Sequence, residues 1–306
     1  VLKIQTFQLM MLWWLINFFF DSVKQIQNEV GNFFVSSSLC QYLDQVNSLS
    51  ELSHKGKLTC MGEDGLTQQN VEVTIRDTKK WHLAKICPVE SPEGQNIGLV
   101  LALSTYANVD INGYLLTGFY KIYNGLINRN VIYLSHFESK RLNVALSCNK
   151  DQRKWTICLN RNRIKTTDRG VTDLNLISDV QVFSPAVRLI PFLEHNDPTR
   201  ALMVANMLKQ AIPLLNPRSL LVGTEEEYNV MRDTGHNIIA RNDGTVININ
   251  SKRIVVYEPK DQKQRVYLLP QLDKSNQEMC QRIRIVVNPK QIIKQWRCYS
   301  RISIKL

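Results

Sequence analysis

Apolar and polar positions along this chain fall into short, uneven runs, not one sustained rhythm. Residues 9–34 hold no proline and a single late glycine, Gly31, and so permit a helix. Residues 36–45 (SSSLCQYLDQ) predict a second, short helix with a serine cap. Residues 46–70 are polar, with glycines at 56, 62 and 65, and predict a loop that is long for an idle one. Val71–Arg76 (VEVTIR) alternates and predicts a strand. Residues 87–98 place two prolines and two glycines in twelve positions, a fixed and irregular backbone, and Ile97–Tyr106 predicts a helix behind it. Strand-like runs recur at Tyr114–Tyr120, Val131–Leu134, Leu142–Leu146, Trp155–Leu159 and Val180–Ile190. Asp197-Pro198 starts a helix in the preferred way, with Asp as N-cap and Pro at the first helical position, and that helix runs to about Ala211. Short strands follow at His236–Ala240, Thr245–Asn248 and Arg253–Tyr257, with Asn242-Asp243-Gly244 as a hairpin turn. The fold class expected is α+β: irregular, multi-lobed and long-looped, mixing short strands and helices.

Composition narrows the classes. A chain of 306 residues predicts about two domains. Its 44% apolar and 21% charged content excludes a collagen, a disordered acidic tail, a disulfide miniprotein and a polytopic membrane protein. The seven cysteines are scattered, without a CxxC or zinc-finger spacing, so reduced thiols are expected and no metal site. Met10–Phe20 (MMLWWLINFFF) falls short of the ~20 residues that span a bilayer and lacks a basic n-region and a cleavage site. It reads as a buried or partner-facing helix, or as translated sequence upstream of a start; no membrane partner is expected. The opening Val1 fits a fragment or an unusual start. The net charge of +11 points to an anionic partner such as nucleic acid, without bearing on fold.

Three stretches carry candidate chemistry. Residues 87–99 (CPVESPEGQNIGL) form a rigid loop in which Glu90 and Glu93 are placed either to cap neighbouring amides or to meet a partner. His54 and Lys57 are either solvated loop residues or phosphate ligands. Arg200, in the first turn of its helix, shares a face with Met203, Asn206 and Gln210, a polar stripe suited to a cavity lining. The alternative for Arg200 is a surface ion pair with Asp197 or Glu194. His195 reads as part of a structural turn.

Residues 87–99 strongly resemble the CPxE[TS]PEGxNxGL signature of the beta subunit of multisubunit DNA-directed RNA polymerases, of bacterial or plastid type. Residues 37–55 (SSLCQYLDQVNSLSELSHK) are similar to the family's SSQLSQFMDQxNPLSExxHK, and residues 190–207 (IPFLEHNDPTRALMVANM) to its IPFLEHDDxNRALMGANM. Residues 221–224 (LVGT) and Ser275-Asn276-Gln277 with Cys280 match two further landmarks. The resemblance covers roughly residues 31 to 292.

The resemblance implies that Gln41, Asp44, His54, Lys57, Thr59, Met61 and Val100 take the rifamycin-pocket positions beside the path of the first RNA nucleotides. It implies that Arg200 contacts the triphosphate of the incoming nucleotide, where a guanidinium fork matches phosphate geometry. Glu93 would meet the beta-prime partner, and Asn96, Asn206 and Gln210 would line the active centre. Departures are visible. Arginines are expected where Gly56 and Lys57 stand, and Ser48 replaces a usual proline. In the fork loop, Glu63 and Asp64 replace small neutral residues, and Gln68 and Asn70 replace arginines.

The family uses two Mg²⁺ ions, held mainly by an aspartate cluster of beta-prime, and no such cluster stands in this chain. By the resemblance the chain is expected to be an incomplete beta subunit, not catalytic alone. Its implied partners are beta-prime, alpha, the remaining beta portions, DNA template, RNA and NTPs. Rival readings are an assembly-only degenerate piece and a free-standing basic RNA-binding protein. Lys/Asn-rich segments favour a plastid over a bacterial cytoplasm. The expected divisions are 1–32 (divergent helical segment), 33–125 (fork-region core), 126–180 (basic, β-rich), 181–292 (the Arg200 helix and a β-rich lobe) and 293–306 (basic tail). Residues 140–170 carry nine Lys/Arg against two Asp, and 271–306 carry eight against two acids. The bulk charge therefore lies outside the recognised motifs.

Overall fold

The computed structural model describes residues 23–62, 65–67, 69, 71–123, 126–146, 155–160, 163–168, 171–214, 218–295 and 300–305. The segment Met10–Phe20 and the fork-loop residues Glu63, Asp64, Gln68 and Asn70 lie outside these. The chain divides into two units, residues 1–42 with 60–70, and residues 43–59 with 71–306.

In the first unit, residues 23–36 form helix α1, as the proline-free pattern predicts. The predicted helix over 36–45 does not form; residues 40–45 are without helical structure. The backbone of Leu66 closes a loop onto Cys60 O at 2.9 Å, and a Cβ on Gly65 would lie 2.7 Å from that same carbonyl.

In the second unit, helix α2 (Ser48–Lys55) occupies what the polar pattern reads as loop. Asn47 explains it. Its side chain accepts from Ser50 N at 2.7 Å while Ser50 Oγ accepts from Asn47 N at 3.1 Å, a reciprocal cap. Strand β1 (Lys57–Thr59) follows at once. Val71–Arg76 is not a strand: Val73–Arg76 is a helical turn, α3. Alternation over six residues specifies a strand only where a neighbour takes the backbone hydrogen bonds, and Val73 and Ile75 are exposed here. The predicted helix over Ile97–Tyr106 is also replaced. Gly98 sits at φ +74°, which stops a helix, and β2 (Val100–Ala102) pairs antiparallel with β1.

Strands β3 (Ala107–Val109), β4 (Leu115–Tyr123), β5 (Leu126–Leu134), β6 (Val144–Ala145), β7 (Trp155–Asn160), β8 (Arg163–Asp168) and β9 (Leu174–Leu176) form one sheet. Its order is β3-β4-β9-β6-β7-β8, with β5 also on β4, and only β6 and β9 run parallel. Helix α4 (His136–Ser139) follows β5. The sheet packs Phe119, Val144, Leu174 and Leu176 onto Ala84.

The predicted strand over Val180–Ile190 is instead a 3-10 turn (Asp179–Val182) and α5 (Pro185–Arg188). Pro185 takes the first helical position, while the Ser184 hydroxyl makes no cap and donates to Glu90 instead. Helix α6 (Pro198–Lys209) forms as predicted, with Asp197 Oδ2 accepting from Thr199 N at 3.2 Å. Helix α7 (Glu226–Asp233) completes a cluster in which Leu49, Cys87, Val187, Ala201, Ala205 and Val230 are buried together.

The C-terminal strands are β10 (Gly244–Ile249), β11 (Arg253–Glu258), β12 (Lys263–Leu268), β13 (Gln271–Lys274), β14 (Cys280–Ile285), β15 (Ile292–Ile293) and β16 (Ser300–Lys305). They form sheets of order β12-β11-β10-β15 and β13-β14-β16. His236–Ala240 is not a strand, so Asn242-Asp243-Gly244 makes no hairpin; the tight turn lies between β10 and β11. The glycine has another use: a Cβ on Gly244 would stand 2.7 Å from Tyr257 O. The five described cysteines are free thiols. Among the described residues no helix is long and apolar enough to cross a membrane.

Candidate functional site

The second unit gathers stretches far apart in sequence around α2, α6 and the loop 87–99. The loop itself is fixed from within. Gly98 N donates to Ser91 Oγ at 3.0 Å, and Ser91 Oγ donates to Val100 O at 3.3 Å. One nitrogen of the Arg76 guanidinium donates to Gln95 O at 2.7 Å and to Ile97 O at 2.8 Å. That contact ties the end of α3 to the loop. A Cβ on Gly98 would lie 2.6 Å from Arg76 O. Gly98→Ala is therefore expected to destabilise by more than about 1 kcal/mol from its φ alone, with the backbone clash added. An unchanged midpoint of urea unfolding would contradict this.

Two contacts tie the loop to α6. Glu90, 5% exposed, pairs with Lys209 Nζ at 2.5 Å and accepts from the Ser184 hydroxyl. Asn206 Nδ2 donates to Ser91 O at 3.1 Å. Glu90 is thus anchored inside, whereas Glu93 is exposed. Two more contacts tie α2 in. Asn47 Nδ2 donates to Leu208 O, Lys209 O and Ala211 O at 3.0, 3.1 and 2.9 Å. Glu51, 5% exposed, meets Lys55 Nζ and His236 Nε2, each at 2.5 Å. Burial pushes its pKa up, but the hydrogen bonds and charges of Lys55 and His236 prevail and hold it below the ordinary value. The Ser275-Asn276-Gln277 landmark also closes on this region: Gln277 Oε1 accepts from Gln45 N at 2.8 Å, and Asn276 Nδ2 donates to Leu43 O at 2.8 Å.

The RNA-path candidates divide. Asp44 N donates to His54 Nδ1 at 3.0 Å, and Thr59 stands directly across from Val100 in the β1–β2 ladder. Lys57 is exposed on the same strand, and Val100 is buried. Gln41 and Met61 belong to the first unit, where Gln41 Nε2 donates to Ser38 O at 3.2 Å.

Arg200 is exposed in the first turn of α6. Among the described residues it makes no ion pair, with neither Asp197 nor Glu194; its Nη1 lies 3.6 Å from Met203 Sδ. Asn206, on the same stripe, is spent on the loop, and Gln210 is the exposed C-cap. Asn96 is half-buried in the loop. A cavity of about 420 Å³ opens beside the start of α6, lined among others by Arg188, Phe192, Asn196, Pro198 and Ala201. Arg188 is held there by Glu226 at 2.8 Å. Among the described residues no three His, Cys, Asp or Glu side chains gather as a metal site. What the sequence reading missed is the set of clamps: Asn47, Arg76, Ser91 and Lys209. Only Asn47 left a signal, the Asn-x-x-Ser spacing of its cap.

Comparison with known proteins identifies relatives of the chain. The family described as RNA polymerase Rpb2, domain 3, matches residues 41–109. The DNA-directed RNA polymerase subunit beta of Kosmotoga olearia is 34% identical over 291 residues, 90% of this chain and 24% of that protein. That of Bdellovibrio bacteriovorus is 39% identical over 241 residues, 77% of this chain and 17% of that protein. That of Mycoplasmoides gallisepticum is 38% identical over 265 residues, 84% and 19% respectively. The chain spans less than a quarter of the length of these relatives. With its mixed helices, strands and long loops, and its distant motifs closed on one another, the chain belongs to the family of DNA-directed RNA polymerase beta subunits, of which it represents a part.

Proposed function

We propose that this chain works within an assembled DNA-dependent RNA polymerase, a nucleotidyltransferase, as the part of the beta subunit that shapes the active-centre cleft, borders the nascent-RNA path and contacts the incoming NTP. The observation that carries the reading is Arg200. An exposed guanidinium without an ion-pair partner among the described residues stands on a helix clamped to the loop 87–99 by Glu90–Lys209 and Asn206–Ser91. A helix held at two points positions its first turn, and a free guanidinium fork suits a triphosphate.

Asp44, His54, Lys57, Thr59 and Val100, with Gln41 and Met61, are proposed for the RNA path, where amide, imidazole and ammonium groups hold phosphate and sugar oxygens without reading bases. Glu93 is proposed as a contact to beta-prime, and Asn96, Asn206 and Gln210 as parts of the active-centre lining. Mg²⁺ belongs to the assembled enzyme and would be held mainly by beta-prime; alpha, the other beta portions, DNA, RNA and NTPs complete the partners. The five-part division of the chain stands as part of this reading. A plastid location was expected from the Lys/Asn-rich segments, but the relatives named are bacterial and lend it no support.

Reconstitution of the full enzyme with Arg200→Ala tests the proposal. Loss of a charge-assisted contact of about 1.5–3 kcal/mol should raise the apparent NTP requirement by about tenfold or more. Unchanged NTP dependence would sink the role. The acidic Glu63 and Asp64 favour a second reading, a degenerate piece kept for assembly. Native polymerase that contains this chain beside a complete beta subunit would support that reading instead.

A further inference from the structure

Lys85 is used by none of the contacts described above. It lies two residues before Cys87 and is 3% exposed. Among the described residues its ammonium makes neither a hydrogen bond nor an ion pair. Burial of the side chain lowers its pKa to about 8.

Lys85 lines a cavity of about 30 Å³ together with Lys80, His136 and Lys140, over apolar walls that include Phe119 and Val144. Among the described residues no carboxylate lines it. The nearby Glu138 is exposed, and its carboxylate is engaged at the start of α4 by Ser135 N at 2.8 Å and Ser135 Oγ at 2.9 Å. Burial and then the charges of Lys85 and Lys140 push the His136 pKa down, the mark of an uncompensated positive potential. Such a space takes one small ion or a terminal group.

We propose that this cavity, between the segment leading into the loop 87–99 and the seven-stranded sheet, is a binding site for one phosphate-class oxyanion, held by Lys85 from within and by His136 and Lys140 at the rim. Oxygen acceptors would meet the Lys85 ammonium where it lines the cavity, and two further donors would surround the same charge. Inorganic phosphate and a terminal phosphomonoester share this chemistry. The site is independent of the role assigned to Arg200.

Calorimetric titration of the full 306-residue chain with inorganic phosphate at constant ionic strength tests it. A saturable one-site isotherm is expected, weakened about tenfold or more by Lys85→Met and less by His136→Gln. Lys263→Gln, on exposed β12, should leave it unchanged. Displacement by a 5′-phosphorylated dinucleotide would assign the site to a nucleotide terminus; failure to displace would assign it to free phosphate. Should Lys85→Met not fold, amine labelling of the wild type read by mass spectrometry decides: phosphate should protect Lys85 and not Lys263. Equal uptake by wild type and a folded Lys85→Met, or no protection of Lys85, would overturn the proposal.

Discussion

Glu90→Gln is expected to lower stability by about 3–5 kcal/mol, the effect of removing one partner from a buried ion pair. Glutamine keeps the shape of the side chain and an acceptor for the Ser184 hydroxyl, so the change isolates the charge. Lys209 would then keep an ammonium against a neutral amide, at 24% exposure. The midpoint of urea unfolding measures the loss. Lys209→Met beside it should recover part of the deficit, because the double change removes the orphaned cation along with its partner. A shift in Glu90→Gln below about 1 kcal/mol would show that the pair contributes little to holding the loop on α6.

Lys85→Met is expected to do the opposite in phosphate-free buffer. A lysine whose folded pKa lies near 8, against an ordinary 10.5, binds fewer protons in the folded than in the unfolded chain between those values. Stability of the wild type should therefore rise as pH goes from about 8 to 10.5, and the full burden should be present below pH 8. The size of the shift corresponds to about 3 kcal/mol. Methionine fills similar volume without the charge, so Lys85→Met should be more stable by about that amount at pH 7, and the difference should vanish near pH 10.5. Urea unfolding of both proteins across that range checks it. A difference that stays constant across that range would mean that Lys85 titrates alike in the folded and unfolded chains.

Helix α6 was legible because its signals are local: an Asp cap, a proline at the first position and an uninterrupted run to Lys209. Strands β4, β7, β10 and β11 were legible for the same reason, since alternation there coincides with a real neighbour in a sheet. Two of the failures share one cause. Val71–Arg76 and Val180–Ile190 alternate, yet what decides them is distant: Arg76 must reach the carbonyls of Gln95 and Ile97, and α5 must close the core against Ala201 and Ala205. Of the candidate site, the residue types were legible through the resemblance, but not the clamps. Nothing in the sequence near Glu90 announces Lys209, and nothing near Lys85 announces that it lacks an acid. Partners separated by more than a hundred residues leave no local pattern.

Asn47 shows how narrow a choice one position can be. Its amide oxygen accepts at the start of α2 while its amide nitrogen donates to three carbonyls at the end of α6. Serine could serve the first helix and would be too short for the second. Aspartate, which caps as well as asparagine, would turn a donor into an anion facing three carbonyl oxygens. Exchanging one NH₂ group for an oxygen thus reverses the sign of three contacts while leaving shape and size untouched. At this position the genetic alphabet offers a single letter that can end one helix and begin another.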